Sequence, residues 1–555
     1  MDLRSKTVAS GREAGAHGHR KSSDAGAGAR PHESEEGSGR EQRAPYILAR
    51  RAKHFVRAAI VGLVAGLVGV AFRESLYRAE LGRGQLLTWL HLHPYWGWAV
   101  LPIVGLVAGS AVGWAVRRYA PDAPGSGIPH VKGVLVRVRR MGWRTLIPVK
   151  FLGGVLGIGA GLSLGREGPT VQLGAAIGNA LGDWLRVPKR TLPQLISCGA
   201  GAGLAAAFNA PLAGFIFVLE EMHRELSALT YGGALIAAVC ATIVTEVISG
   251  QAPSFSVRSY ASLPLVSLPL IAILGAVGGL VGVFFNQCLL RTLSAVHRLR
   301  FRALWLLPGI AGIAVGLAAW WIPDAIGGGH AVAERLLSGH LSATIGALAL
   351  LFAAKLAFTV VSYASGAPGG IFAPMLLLGA VLGAIFGRLV AGIFPAMAAH
   401  QAAFAVLGMA AFFSASVRAP LTGIVLILEM TAKQEQLFAL CVACMVAYLV
   451  AERFRDRPIY EALLELDLLR SGAVESRPEP NLTVISVSPG SEVDGKRIRD
   501  AGLPRGCLVV GVERGGRELL PDAELALMAG DHITVLTPGS HPRMTLIVVR
   551  MCQEV

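Results

Sequence analysis

Arg166 and Glu167 stand side by side between two uncharged runs of 15 residues, 151–165 and 168–182. A charge at the depth of a bilayer costs at least about 2.5–3.5 kcal/mol and by default marks a functional site. Glu167 is followed by Gly168-Pro169, and proline near the first helical position is a start signal. Glu167 is therefore predicted at the positive end of a helix dipole, beside backbone N–H groups that make an anion site. A carboxylate there is a tethered anion, and protonating it would free the site for a mobile one. A second start, Gly369-Gly370-Ile371-Phe372-Ala373-Pro374, carries no acid, so its N–H groups could hold a free anion. A third, Pro124-Gly125-Ser126-Gly127-Ile128-Pro129, offers the Ser126 hydroxyl between glycines that let an ion approach the backbone. Apart from Arg166 these starts contain no Lys or Arg. Binding by partial charges suits a conductor, because permeation needs binding that is favourable but weak.

The elements that position these residues are membrane helices. Of 555 residues 53% are hydrophobic and 16% charged, against roughly 25% charged in soluble domains. That composition, with 68 glycines, excludes a disordered chain, a collagen and an ordinary cytosolic enzyme, and indicates a polytopic protein in the lipid bilayer. The net charge of +15 belongs to cytoplasmic loops and tails and implies no nucleic-acid partner. Arg50, Arg51, Lys53 and Arg57 precede the first apolar segment, placing the N-terminus in the cytoplasm, and residues 1–54 read as a disordered tail. Uncharged stretches of 29–32 residues, such as 259–290 and 356–387, are too long for one straight crossing. Such long stretches are broken by Pro and Gly, as at Asn209-Ala210-Pro211 and Ala367-Pro368-Gly369-Gly370, and breaks inside a bilayer are tolerated where protein or a polar cavity surrounds them.

The chain also repeats itself. At an offset of 205, Gly165, Pro169, Leu173, Gly174, Ala175 and Gly178 recur as Gly370, Pro374, Leu378, Gly379, Ala380 and Gly383. At an offset of 209, Ala210–Glu220 is echoed by Ala419–Glu429. Two halves, about 55–255 and 260–455, read as related, and transporters place their sites where the broken helices of two repeats meet.

Gly125-Ser126-Gly127-Ile128-Pro129, Gly165-Arg166-Glu167-Gly168-Pro169 and Gly369-Gly370-Ile371-Phe372-Ala373-Pro374, in this order and spacing, resemble the three signatures of the CLC chloride channel and transporter family. The resemblance covers about 55–465. It implies an all-α polytopic membrane protein of two inverted repeats of broken, tilted helices, working as a homodimer in the cell (inner) membrane with both terminal regions cytoplasmic. Carried over by position, it implies that Ser126, the amides of Ile371 and Phe372, and the Tyr460 hydroxyl coordinate chloride. It implies that Glu167 is the gating acid and Glu221 the internal proton station, with Glu220 able to share that proton path. The implied function is exchange of chloride for protons, with a passive chloride channel as the alternative and no cofactor.

Residues 480–555 read as a small soluble α/β domain, with β-rich runs at Leu482–Val487, Cys507–Val512, His532–Leu536 and Leu546–Val549 after a linker at Ser471–Glu479. Ile485–Gly495, the turn Pro504-Arg505-Gly506 and Ala529–Val535 resemble the TrkA-C fold, which implies a regulatory domain that can bind a small ligand of nucleotide type. Cys441-x-x-Cys444 lies in an apolar run and reads as packed thiols. His330, His340 and His400 are dispersed, so no metal site is expected. Gly161-Leu162-Ser163-Leu164-Gly165 fits the hydrolase elbow and leaves an intramembrane serine hydrolase as a remote alternative.

Overall fold

A computed structural model describes residues 35–189, 191–223, 228–255, 257, 263–298, 303–339, 343–470, 481–538 and 542–553. The expected linker at 471–479 and His340 lie outside them. The first helix, Glu35–His91, starts within the 1–54 segment. Among the described residues nine helices are long and apolar enough to cross a membrane. The 31-residue helix Leu268–Arg298 would be roughly 46 Å long at 1.5 Å per residue. That exceeds a ~30 Å hydrocarbon core, so such a helix must tilt.

The other helices break where the sequence places the punctuation. Helix Leu192–Phe208 ends at Asn209, left-handed with φ 55°, and Pro211–Phe217 begins two residues later. In the second half Gln401–Val417 ends at Arg418, φ 67°, and Pro420–Thr431 begins two residues later. The left-handed residue stops one helix and the proline opens the next. Arg418 is a costly residue for that conformation. Its guanidinium is held by the Asp456 carbonyl at 3.1 Å and the Glu452 carboxylate at 3.4 Å.

The repeat extends to packing. A Cβ built at Gly174 would lie 2.0 Å from the Gly199 carbonyl oxygen, and one at Gly379 would lie 2.4 Å from that of Gly408. Residues 379 and 408 are 174 and 199 displaced by the two sequence offsets, 205 and 209. The crossings of Glu167–Trp184 on Leu192–Phe208 and of Phe372–Ile393 on Gln401–Val417 are therefore built alike. Small residues let backbones touch where apolar lipid gives no drive for helices to associate.

The two halves also clasp each other. Glu220, beyond the end of Pro211–Phe217, accepts from the Leu421 and Thr422 amides at 3.1 and 2.7 Å and from the Thr422 hydroxyl at 2.7 Å. Glu429 of Pro420–Thr431 accepts from the Leu212 and Ala213 amides at 3.0 and 2.7 Å. Each acid caps the start of the other's helix, so the two helices run antiparallel about a local two-fold axis, as inverted repeats require.

The C-terminal domain is a four-stranded antiparallel sheet of β1 (Asn481–Ser486), β2 (Leu508–Arg514), β3 (Arg517–Leu519) and β4 (His532–Thr537), in the order β1-β4-β2-β3. The run Leu546–Val549, expected as a strand, belongs to helix Pro542–Gln553. Pro542 opens it, and its buried residues Thr545, Val548 and Cys552 recur at helical spacing. Edge strand β1 faces the transport helices, where Arg137 donates to the Leu482 carbonyl at 3.0 Å. Asp531 is buried and takes a two-pronged bond from Arg514, both at 2.7 Å, and the Met528 amide at 2.8 Å. Burial alone would raise its carboxyl, but the Arg514 bonds and that amide outweigh burial and hold it below the ordinary carboxylate range.

Gly174→Val is expected to lower stability by about 1–3 kcal/mol, read as an earlier thermal transition in detergent. Gly346→Ala, where nothing lies within 4 Å, should leave that transition in place. A depressed carboxyl stabilises above its unfolded pKa and loses that contribution as pH falls through the folded value. Asp531→Asn should therefore speed hydrogen exchange in β2 and β4 at pH 7, and the difference from the parent should close below about pH 4.

Candidate functional site

The three helix-start loops are sewn together by their backbones. Gly125 donates to the Ala367 carbonyl at 3.0 Å, and Gly369 donates back to the Gly125 carbonyl at 3.0 Å. Gly165 and Gly370 exchange a pair of bonds at 2.6 and 2.7 Å. A Cβ on Gly168 would lie 2.8 Å from the Ser126 carbonyl, which puts the second start directly against the first. Helices Ile128–Leu135, Glu167–Trp184 and Phe372–Ile393 leave from this knot. Their first N–H groups have no partner within the helix, and their positive dipole ends converge.

Glu167 is 1% exposed, and its carboxylate accepts from the Ala373 amide at 3.3 Å. The sequence placed this acid at the start of its own helix. The structure has it also spanning to the start of the equivalent helix in the other half. Arg166 Nε lies 3.8 Å from its other oxygen. Ser126 is fully buried, with its hydroxyl oxygen accepting from the Ile128 amide at 3.3 Å. Ile371, Phe372 and Tyr460 are fully buried in the core cluster that also holds Ile128. The Tyr460 hydroxyl has no hydrogen-bond partner among the described residues. Buried hydroxyls are ordinarily paired, so an unpaired one is a donor suited to an anion.

Two buried lysines were missed in the sequence reading. Lys150 Nζ donates to the Ala123 and Gly125 carbonyls at 2.8 and 2.7 Å, and Lys355 Nζ donates to the Gly327 carbonyl at 2.6 Å. Both are 0% exposed. They are separated by the repeat offset of 205, and each is a lone charge in an apolar run, which was the available signal. Each ammonium braces the carbonyls of a glycine loop, and Lys150 sits directly beneath the Ser126 turn.

Glu221 is 2% exposed, and Lys132 Nζ lies 2.8 Å from its carboxylate. Lys132 is also 3.4 Å from Glu461, the neighbour of Tyr460. Glu221 and Glu461, the residue after Tyr460, thus share the Lys132 ammonium. Glu220 points elsewhere, to the start of Pro420–Thr431. Ser163 is fully buried, its hydroxyl bonded to Thr359 at 2.9 Å and its amide to Ser362 at 3.0 Å. These bonds tie the halves together, and neither partner is a histidine. His330 bonds the Ser254 carbonyl at 3.1 Å and stacks on Phe255.

This arrangement matches known proteins. The profile of the family described as Voltage gated chloride channel matches residues 108–452, and that of the TrkA-C domain matches 482–544. The chain is 38% identical over 425 residues to the H(+)/Cl(-) exchange transporter ClcA of Klebsiella pneumoniae (strain 342), covering 76% of this chain and 90% of that protein. It is 39% identical over 443 residues to ClcA of Yersinia pestis bv. Antiqua (strain Angola), covering 79% and 91%. A solved slow cyanobacterial Cl-/H+ antiporter superposes with a TM-score of 0.72 at 36% identity, over 76% of this chain and 99% of that one. A CLC-type fluoride/proton antiporter gives 0.63 at 25% identity, over 74% and 97%. With its helix starts, inverted halves and appended sheet, this multi-pass membrane chain belongs to the voltage gated chloride channel, or CLC, family and carries a TrkA-C domain behind its transport helices.

Proposed function

We propose that the protein exchanges chloride for protons across the cell membrane, with both terminal regions in the cytoplasm. The observation that carries this reading is the Glu167 carboxylate on the Ala373 amide, 3.3 Å away at the start of helix Phe372–Ile393. An acid seated on the N–H groups a free anion would use can act as plug and proton carrier at once. Chloride entering the knot loses water and is compensated by the Ile371 and Phe372 amides and by the Ser126 and Tyr460 hydroxyls. Those are partial charges, which bind weakly enough for release. Ionised Glu167 competes for the same donors. Protonated, it gives them up, and the proton it carries passes inward to Glu221.

Exchange is favoured over passive conduction by a second buried acid, Glu221, paired with Lys132 on the helix that starts at the Ser126 turn. Glu220 serves in this reading as a clasp between the halves. By analogy with its family the protein works as a homodimer, each subunit with its own path, and the TrkA-C domain senses a small ligand of nucleotide type.

Purified protein in liposomes with an outward chloride gradient and a pH probe tests the assignment. Glu167→Gln should carry chloride without driving proton uptake, and continued uptake would refute its role. Glu221→Gln should also pass chloride with proton movement at the leak level. Glu220→Gln should retain the parent's proton-to-chloride ratio while melting earlier, by about 1.5–3 kcal/mol for lost bonds to a charged group.

A further inference from the structure

We propose that Lys132 governs when Glu221 takes up a proton, and that Glu221 exchanges this proton with a half-open chamber between the transport helices and the C-terminal domain. The inference rests on the exchange reading and extends it to a residue and a compartment outside the chloride knot.

Lys132 lies on Ile128–Leu135, the helix that starts at the Ser126 turn, so it is rigidly tied to the knot. Its ammonium is 2.8 Å from Glu221 and 3.4 Å from Glu461, with 11% of its side chain exposed. An opposite charge this close favours the ionised carboxylate, so a proton reaching Glu221 must compete with the ammonium. Breaking a buried ion pair outright is costly, because one charge is left uncompensated. Glu461 removes that obstacle. As Glu221 gains its proton, the ammonium can settle on the second carboxylate, and it can return when the proton leaves. The step is a bare proton transfer. A hydronium ion in the chamber gives one proton to the Glu221 carboxylate and is left as water, the reverse step returns the proton, and Lys132 keeps its own three protons.

The three groups open on a cavity of about 710 Å³, large enough for a cluster of waters. Its transport-side charges are Lys132, Arg137, Glu221, Glu461 and Glu465; the C-terminal domain contributes Glu513, His532 and Arg550 from the opposite wall. Arg137 on the Leu482 carbonyl and Arg550, 3.4 Å from Glu465, hold the wall in place. A soluble domain thereby forms part of the boundary of the compartment that feeds the proton station.

Full-length protein in liposomes, with chloride-driven proton uptake and chloride flux followed over a pH series, tests this. Loss of the ammonium favours neutral Glu221. In Lys132→Met the midpoint above which proton uptake fails should therefore move about 1 pH unit or more to the alkaline side. Lys132→Arg should keep the parent midpoint. In a Glu221→Gln background Lys132→Met should cause no alkaline shift in the pH profile of chloride flux. Should Lys132→Met fail to fold, Lys132→Gln takes its place with the same expectation. A parent that couples normally while the midpoint stays put in the Lys132 variant overturns this inference alone, as does the same alkaline shift appearing in the Glu221→Gln background. A parent that moves no protons overturns the exchange reading, and this inference with it.

Discussion

A small anion inside a ~30 Å hydrocarbon layer must be compensated without being captured. Full positive charges would trap it, and bare lipid would exclude it. Helix starts solve both problems, because their N–H groups carry partial charge and demand partners of their own. Several helices must then begin in the middle of the protein, which is why so many end early. The left-handed Asn209 and Arg418, the prolines two residues beyond them and the knot of Gly125, Gly165 and Gly370 all follow from that demand. So does the glycine content. Short helices with unsatisfied ends must be buried in protein, and burying them at backbone contact requires pairs such as Gly174 with Gly199 and Gly379 with Gly408.

The same donors accept a carboxylate as readily as a halide. Glu167 on the Ala373 amide shows the competition in covalent form, one competitor tethered and the other free. Coupling two ions needs nothing more exotic than a shared set of dipoles and an acid whose charge can be switched off. Direction along the chain then comes from connectivity. Tyr460 is followed by Glu461, Glu461 reaches Lys132, and Lys132 reaches Glu221. Glu220 is one position away from Glu221 yet turned to the start of Pro420–Thr431, with a reciprocal bond set at Glu429. Both acids lie in a π-helical turn, Val218–His223, where successive side chains leave the axis in different directions, so two neighbouring acids can serve unlike ends.

The helix starts and the lone acid were legible in the sequence because charges and prolines stand out against apolar runs. The repeat was legible too, since a fixed offset survives whatever the helices do in space. Lys150 and Lys355 carried the same kind of signal and became visible once both were seen to cap glycine loops. The Lys132–Glu461 contact was not readable. It joins residues 329 positions apart, and each looks like an ordinary polar residue near a helix end. Leu546–Val549 looked like a strand because four apolar residues fit either period. Pro542 and the spacing of Thr545, Val548 and Cys552 decide it only when the buried face is known.

The C-terminal domain illustrates how a sheet of this size is used. An edge strand such as β1 presents unpaired backbone groups and invites aggregation unless covered. Here Arg137, just beyond helix Ile128–Leu135, takes the Leu482 carbonyl. That contact helps fix where the rest of the domain lies, with Glu513, His532 and Arg550 across the chamber from Glu221. A contact at the sheet's edge therefore also bears on which charges the proton station faces. Any ligand that moved this domain would change the charges around Glu221 without touching the chloride knot, and such separation would let one limb of an exchanger be tuned while the other is left alone.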